Sequence, residues 1–134
     1  MSARRMAVVG HVEWVEFVRV SRVPLAGEIA HGTDHWEEPA GGGGVAAVRL
    51  ARLAGTSLLF TTLGHDQPGF RAREALERLG VSVHAVHRGV QRRAVTLVDD
   101  RGERTITTIG DRLAPSGDDP LPWEELSEAD GVYV

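Results

Sequence analysis

Between residues 45 and 85 two kinds of apolar pattern alternate, and a glycine closes each helical stretch. Val45–Ala54 is rich in Ala and Leu, carries Arg49 and Arg52 three apart on one face, and stops at Gly55, which suits the C′ position of a helix. Ser57–Leu63 is a run of strand length and mostly apolar. Phe70–Leu79 returns to helical spacing, with Ala72, Ala75, Leu76 and Leu79 on one stripe, and stops at Gly80. Val81, Val83 and Ala85 then alternate at the period of a strand. Met6–Gly10 in front and Gly131–Val134 behind read as further buried strands, the latter led in by a short helix at Trp123–Ala129. Strands separated by helices must pair in parallel through crossovers, so the pattern requires an α/β sheet covered by helices.

Two segments break that rhythm. Residues 12–20 alternate with apolar side chains on both sides, Pro24 and Gly27 mark a turn, and residues 28–36 read as a polar, irregular strand. Arg92–Asp99 and Arg104–Ile109 flank the turn Asp100-Arg101-Gly102-Glu103. These two hairpin-like units are expected to form a separate small sheet. Pro39 and Gly41–Gly44 are expected to interrupt the chain before the first helix. Asp66 or Gln67 is placed to cap the second, with Pro68 inside its first turn.

Composition removes several chemistries. There is no Cys, so disulfides, thiolate metal sites and Cys nucleophiles are out. All 15 basic residues are Arg, which excludes a Walker-type P-loop lysine and a lysine base within the chain. The formal net charge of −4 argues against a nucleic-acid partner. No apolar run approaches the roughly 20 residues of a membrane span, and the expected location is the cytoplasm. The six His residues show no metal-binding spacing.

Five motifs in order then carry a resemblance: the interrupted βαβ core, Pro24-x-x-Gly27-Glu28, the glycine cluster opening a helix, Leu63-Gly64-x-Asp66-x-x-Gly69, and Leu76-x-x-Leu79-Gly80-Val81. The chain resembles the N-terminal portion of a ribokinase-like carbohydrate kinase of the PfkB family. The resemblance implies a three-layer α/β core with a parallel sheet, incomplete here, plus a small β-sheet lid from segments of about 12–38 and 91–110, all in one domain spanning 1–134. It implies transfer of the γ-phosphate of ATP, with Mg²⁺, to a hydroxyl of a small-molecule alcohol, sugar or nucleoside-like substrate. A homodimer through the lid is also expected.

The family's Gly-Gly-Lys-Gly-Ala-Asn signature reads Gly41-Gly42-Gly43-Gly44-Val45-Ala46 here. Its close-approach role carries over to Gly41, Gly42 and Gly44, while Lys and Asn are replaced by Gly43 and Ala46. In the family's Gly-x-x-Asn-x-Asp, Asn is Glu13 and the sugar-gripping Asp is Val15. Glu13 is therefore the expected substrate contact, for a less hydroxylated, more apolar or cationic alcohol. The C-terminal Asp-Thr-x-Gly-Ala-Gly-Asp signature does not occur in this sequence, so no catalytic residue, ATP site or Mg²⁺ site is expected in the chain alone. A non-catalytic binding or regulatory protein on the same scaffold is the alternative. Arg92 and Arg93 read as a solvated strand edge, Trp14 and Phe17 as lid core or interface, and Asp66 as a helix cap.

Overall fold

The computed structural model describes residues 4–134. Two four-stranded sheets divide the chain. Sheet A joins β1 (Met6–Val9), β4 (Ser57–Leu63), β5 (Val81–His87) and β8 (Gly131–Tyr133) in the order β5-β4-β1-β8, every pair parallel. Sheet B joins β2 (Glu13–Arg19), β3 (Asp34–Ala40), β6 (Arg93–Val98) and β7 (Arg104–Ile109) in the order β3-β2-β6-β7. The expected separation into core sheet and small second sheet is what the chain adopts.

Helices α1 (Gly41–Ala54) and α2 (Gln67–Arg78) supply the crossovers of sheet A. Their small faces, Ala47 and Ala51 from α1 and Ala72 with Leu76 from α2, pack on Val8, Leu59, Leu63, Val81 and Val83. Leu59, Leu63 and Leu76 are fully buried, each stabilising by roughly 1.5–3 kcal/mol relative to exposure. On the other face of the sheet Phe60 stacks on Trp123 at 5.2 Å, from the short 3-10 helix Trp123–Glu128.

Sheet B has its own apolar cluster of Val15, Phe17, Ala94 and Val98. Phe17 and Trp36 stack at 5.3 Å with nearly parallel rings, closed by Arg19 over Trp36 and Arg104 over Phe17. Phe17 is thus lid core, as read from the sequence.

Two boundaries differ from expectation. The second lid strand is Asp34–Ala40, not 28–36. Pro39 is tolerated because β3 is an edge strand with one hydrogen-bonding side free. Residues 22–28 instead fold into a tight loop. Arg22 Nη1 and Nη2 each donate to Glu28 at 2.8 Å, and the Leu25 amide donates to the same carboxylate at 2.8 Å. The glycine run does not interrupt the chain but forms the first turn of α1. Helix α2 begins at Gln67 as expected, with Asp66 accepting from the Gly69 amide at 3.1 Å as its cap and Pro68 in its first turn.

Candidate functional site

In an open α/β sheet, ligands bind beyond the carboxyl ends of the strands. In this protein four segments meet there: the β1–β2 connection (10–12), the start of α1, the β4–α2 loop (64–66), and residues 91–92 leading into β6. Glycine lets two of them touch backbone to backbone. A Cβ on Gly43 would stand 2.6 Å from the Gly10 carbonyl carbon and 2.8 Å from the His11 oxygen. The amides of Gly43 and Gly44 both donate to the His11 carbonyl, at 2.9 and 3.3 Å. Gly41 has φ +81, where a side chain would be strained, and approaches the Glu13 amide. The His11 ring lies over Gly42. Gly44 is buried against Val12 and Pro39.

These contacts bring three side chains together. Glu13 Oε2 lies 3.3 Å from His11 Nε2, and Glu13 Oε1 lies 3.8 Å from Arg92 Nε. All three are largely enclosed, with side-chain exposures of 14% for Glu13, 18% for His11 and 20% for Arg92. The Arg92 Nε is buried and has no hydrogen-bond partner. Arg92 is therefore not the solvated edge the sequence suggested, whereas Arg93 is exposed. Glu13, the expected substrate contact, has His11 and Arg92 beside its two carboxylate oxygens. Glu13 thus has a guanidinium and an imidazole close by, and the N-terminal end of α1 lies alongside.

Gln91 holds the arrangement and was not singled out by sequence reasoning. It is 1% exposed. Its Oε1 accepts from the Gly64 amide at 2.9 Å, and its Nε2 donates to the carbonyls of Val12 at 2.8 Å and Arg92 at 3.1 Å. Its own amide donates to Asp66 Oδ2 at 3.0 Å. One side chain thus fixes the β1–β2 connection, the β4–α2 loop and the start of β6. The one visible signal is a long polar residue between Val90 and two arginines. Val15, where the family's sugar-gripping aspartate stands, belongs to the lid cluster at 5% exposure, and Ala46 packs against the main core.

The pfkB family carbohydrate kinase model matches residues 3–134. The chain belongs to the PfkB family of carbohydrate kinases. An ATP-dependent ribose-1-phosphate kinase from Halopiger xanaduensis is 32% identical over 97% of this chain and 45% of its own length. Among solved structures, the Cryptococcus neoformans ribokinase in complex with ADP is 28% identical, with a TM-score of 0.62 over 81% of this chain and 34% of its own. The Thermotoga maritima ribokinase shares the fold at 23% identity, with a TM-score of 0.70 over 97% of this chain and 44% of its own. The chain therefore spans less than half the length of these relatives. Among the described residues no group of three or more His, Asp or Glu is placed to hold a metal ion, and the sequence has no Lys.

Proposed function

We propose that the protein is an ATP-dependent, Mg²⁺-using cytoplasmic kinase whose substrate is a phosphorylated sugar, and that residues 1–134 supply its sugar side. The reaction class is transfer of the γ-phosphoryl group to a substrate hydroxyl, with ADP as the leaving group. The nucleotide and the catalytic base are held outside these residues, in keeping with the share of the relatives' length that the chain spans. Family membership and the ADP bound to the Cryptococcus relative support the nucleotide.

The observation that carries the substrate class is Arg92, whose buried Nε lacks a hydrogen-bond partner and lies 3.8 Å from Glu13 Oε1. A buried donor without an acceptor costs about 1–3 kcal/mol, and a substrate phosphate oxygen would relieve that cost. The ribose-1-phosphate kinase relative acts on such a molecule by name. In this reading Glu13 orients Arg92, Gly41 and Gly42 bring the α1 amides to the substrate, and Gly44 seats the helix. The lid also pairs two copies, through the exposed β7 with Ile106 and Ile109 on its surface. Analytical ultracentrifugation at tens of micromolar checks this, and a monomer there contradicts it.

The test of function is ADP release by the full-length protein with MgATP and a panel of ribose, fructose, ribose-1-phosphate and ribose-5-phosphate. The expected result is turnover with a sugar phosphate at least tenfold above either free sugar. Equal or better turnover with ribose or fructose overturns the substrate class, and no turnover with any of the four overturns the reading of the protein as a sugar kinase.

A further inference from the structure

Helices α1 and α2 lie on the same face of sheet A, and a groove of about 380 Å³ runs between them. That volume is within the range of small-molecule sites, about 300–1,000 Å³. His11, Glu13 and Arg92 are not among the residues that line it. Val45 and Val48 of α1 and Leu79, just past the end of α2, give it apolar walls. Three guanidinium groups border it: Arg49 and Arg52 from α1 and Arg78 from α2.

Those arginines stand apart from others nearby. Arg71 and Arg73 of α2 lie beside Glu37 and Glu77, and Arg88 pairs with Asp119. Arg49, Arg52 and Arg78 form no ion pair or side-chain hydrogen bond among the described residues. Helix dipoles account for a cation in a last turn, as at Arg52 and Arg78, but not for Arg49 in mid-helix. At the lid end of the groove stand Glu37 and Glu38 of β3. Glu37 already accepts from the Trp14 indole at 2.6 Å, which leaves Glu38 as the free acceptor. From Val45, beside the lid, to Arg52 is seven residues of helix, about 10 Å. The groove thus has a cationic end, an apolar middle and an acceptor end.

We propose that this groove binds an organic phosphate of the nucleoside-monophosphate type. The phosphate sits on Arg49, Arg52 and Arg78, whose planar forks match phosphate oxygens. The ring lies along Val45, Val48 and Leu79, and donors at the far end meet Glu38. Strand β3 runs directly into α1 at Ala40–Gly41, so a ligand joining Glu38 to the two helices fixes the angle between lid and core. Occupancy and sugar binding are then coupled, each altering the other's affinity by the same factor.

The test is titration of AMP into the isotope-labelled full-length protein, reading the backbone amides of Val45, Val48, Arg49, Ala75 and Leu79. Reading those amides separates groove binding from AMP bound elsewhere. Saturable shifts with millimolar or tighter affinity are expected, weakened about tenfold or more in Arg49→Gln/Arg52→Gln and unchanged in the distant control Arg101→Gln. Adenosine and inorganic phosphate alone should each bind at least about tenfold more weakly than AMP. Unmoved groove amides at about 10 mM AMP, equal affinity in the double variant, or inorganic phosphate binding as well as AMP each overturn the proposal.

Discussion

Gly42 and Gly43 are neighbours in one helical turn, yet their surroundings differ sharply. A Cβ on Gly43 would enter the Gly10 and His11 backbone at 2.6 and 2.8 Å, where nothing flexible can yield. A Cβ on Gly42 meets only the edge of the His11 ring at 3.4 Å. Gly43→Ala should therefore destabilise by about 1–3 kcal/mol through forced backbone shifts. Gly42→Ala should be neutral or gain up to about 1 kcal/mol from the lower entropy cost of Ala in a helix. Denaturant unfolding of the two variants checks the contrast, and equal stabilities contradict the backbone contact. The need for glycine here was legible in the sequence, but which glycine was not. The quadruple repeat hides the single position that touches Gly10, and that partner is more than 30 residues away. Gln91 was hidden for the same reason, since all its side-chain hydrogen bonds but the one to Arg92 reach across the fold. Gln91→Leu, close in size, leaves the Gly64 amide and the Val12 carbonyl without this partner. It should cost about 1–3 kcal/mol for each group left buried and unpaired. Faster hydrogen exchange at Gly64 and at the first residues of β6 would register it, and unchanged exchange would contradict the pinning role.

At the scale of elements, periodicity served well where one face is buried and poorly where both are wet. The core strands and both helices were readable because Leu59, Leu63, Ala72 and Leu76 repeat toward one core. Strand β3 differs from the sequence reading because its residues are mostly exposed and it contains Pro39, while residues 28–33 are as polar and irregular as the strand itself. What holds the preceding loop is charge. The Arg22 guanidinium, and then the Leu25 amide, hold the Glu28 carboxyl below its usual range. A carboxyl whose folded pKa lies below its unfolded one stabilises above the unfolded value, about 4.3, and loses that contribution as pH falls through the folded value. The loop should therefore keep its form at neutral pH and loosen only in acid below the ordinary carboxylate range. The Leu25 amide shift, which reports the Glu28 carboxylate directly, should titrate with a midpoint below that range and move upward in Arg22→Gln. A midpoint at or above the ordinary value in the unmodified protein would contradict the pairing.

As a whole, the molecule is a parallel sheet with helices on one face and a second sheet set over the carboxyl ends of its strands. Their junction holds the cluster of His11, Glu13 and Arg92. The division into two sheets followed from the sequence because a hairpin pattern cannot serve as a crossover. The character of the junction did not, because it depends on where Arg92 points and what Glu13 meets, and both are set by contacts across long stretches of chain. In the proposed reading, Val15 in place of a sugar-gripping carboxylate and the buried Arg92 beside Glu13 favour charge recognition over hydroxyl recognition. The most direct measurement is kcat/KM of the full-length protein for ribose-1-phosphate in the wild type, Arg92→Gln and Arg93→Gln. Loss of one charge-assisted phosphate contact, about 1.5–3 kcal/mol, predicts a roughly 10–100-fold fall for Arg92→Gln and little change for the exposed Arg93→Gln. An Arg92→Gln enzyme that handles ribose-1-phosphate as well as the wild type would contradict the assignment of this pocket to a phosphorylated sugar.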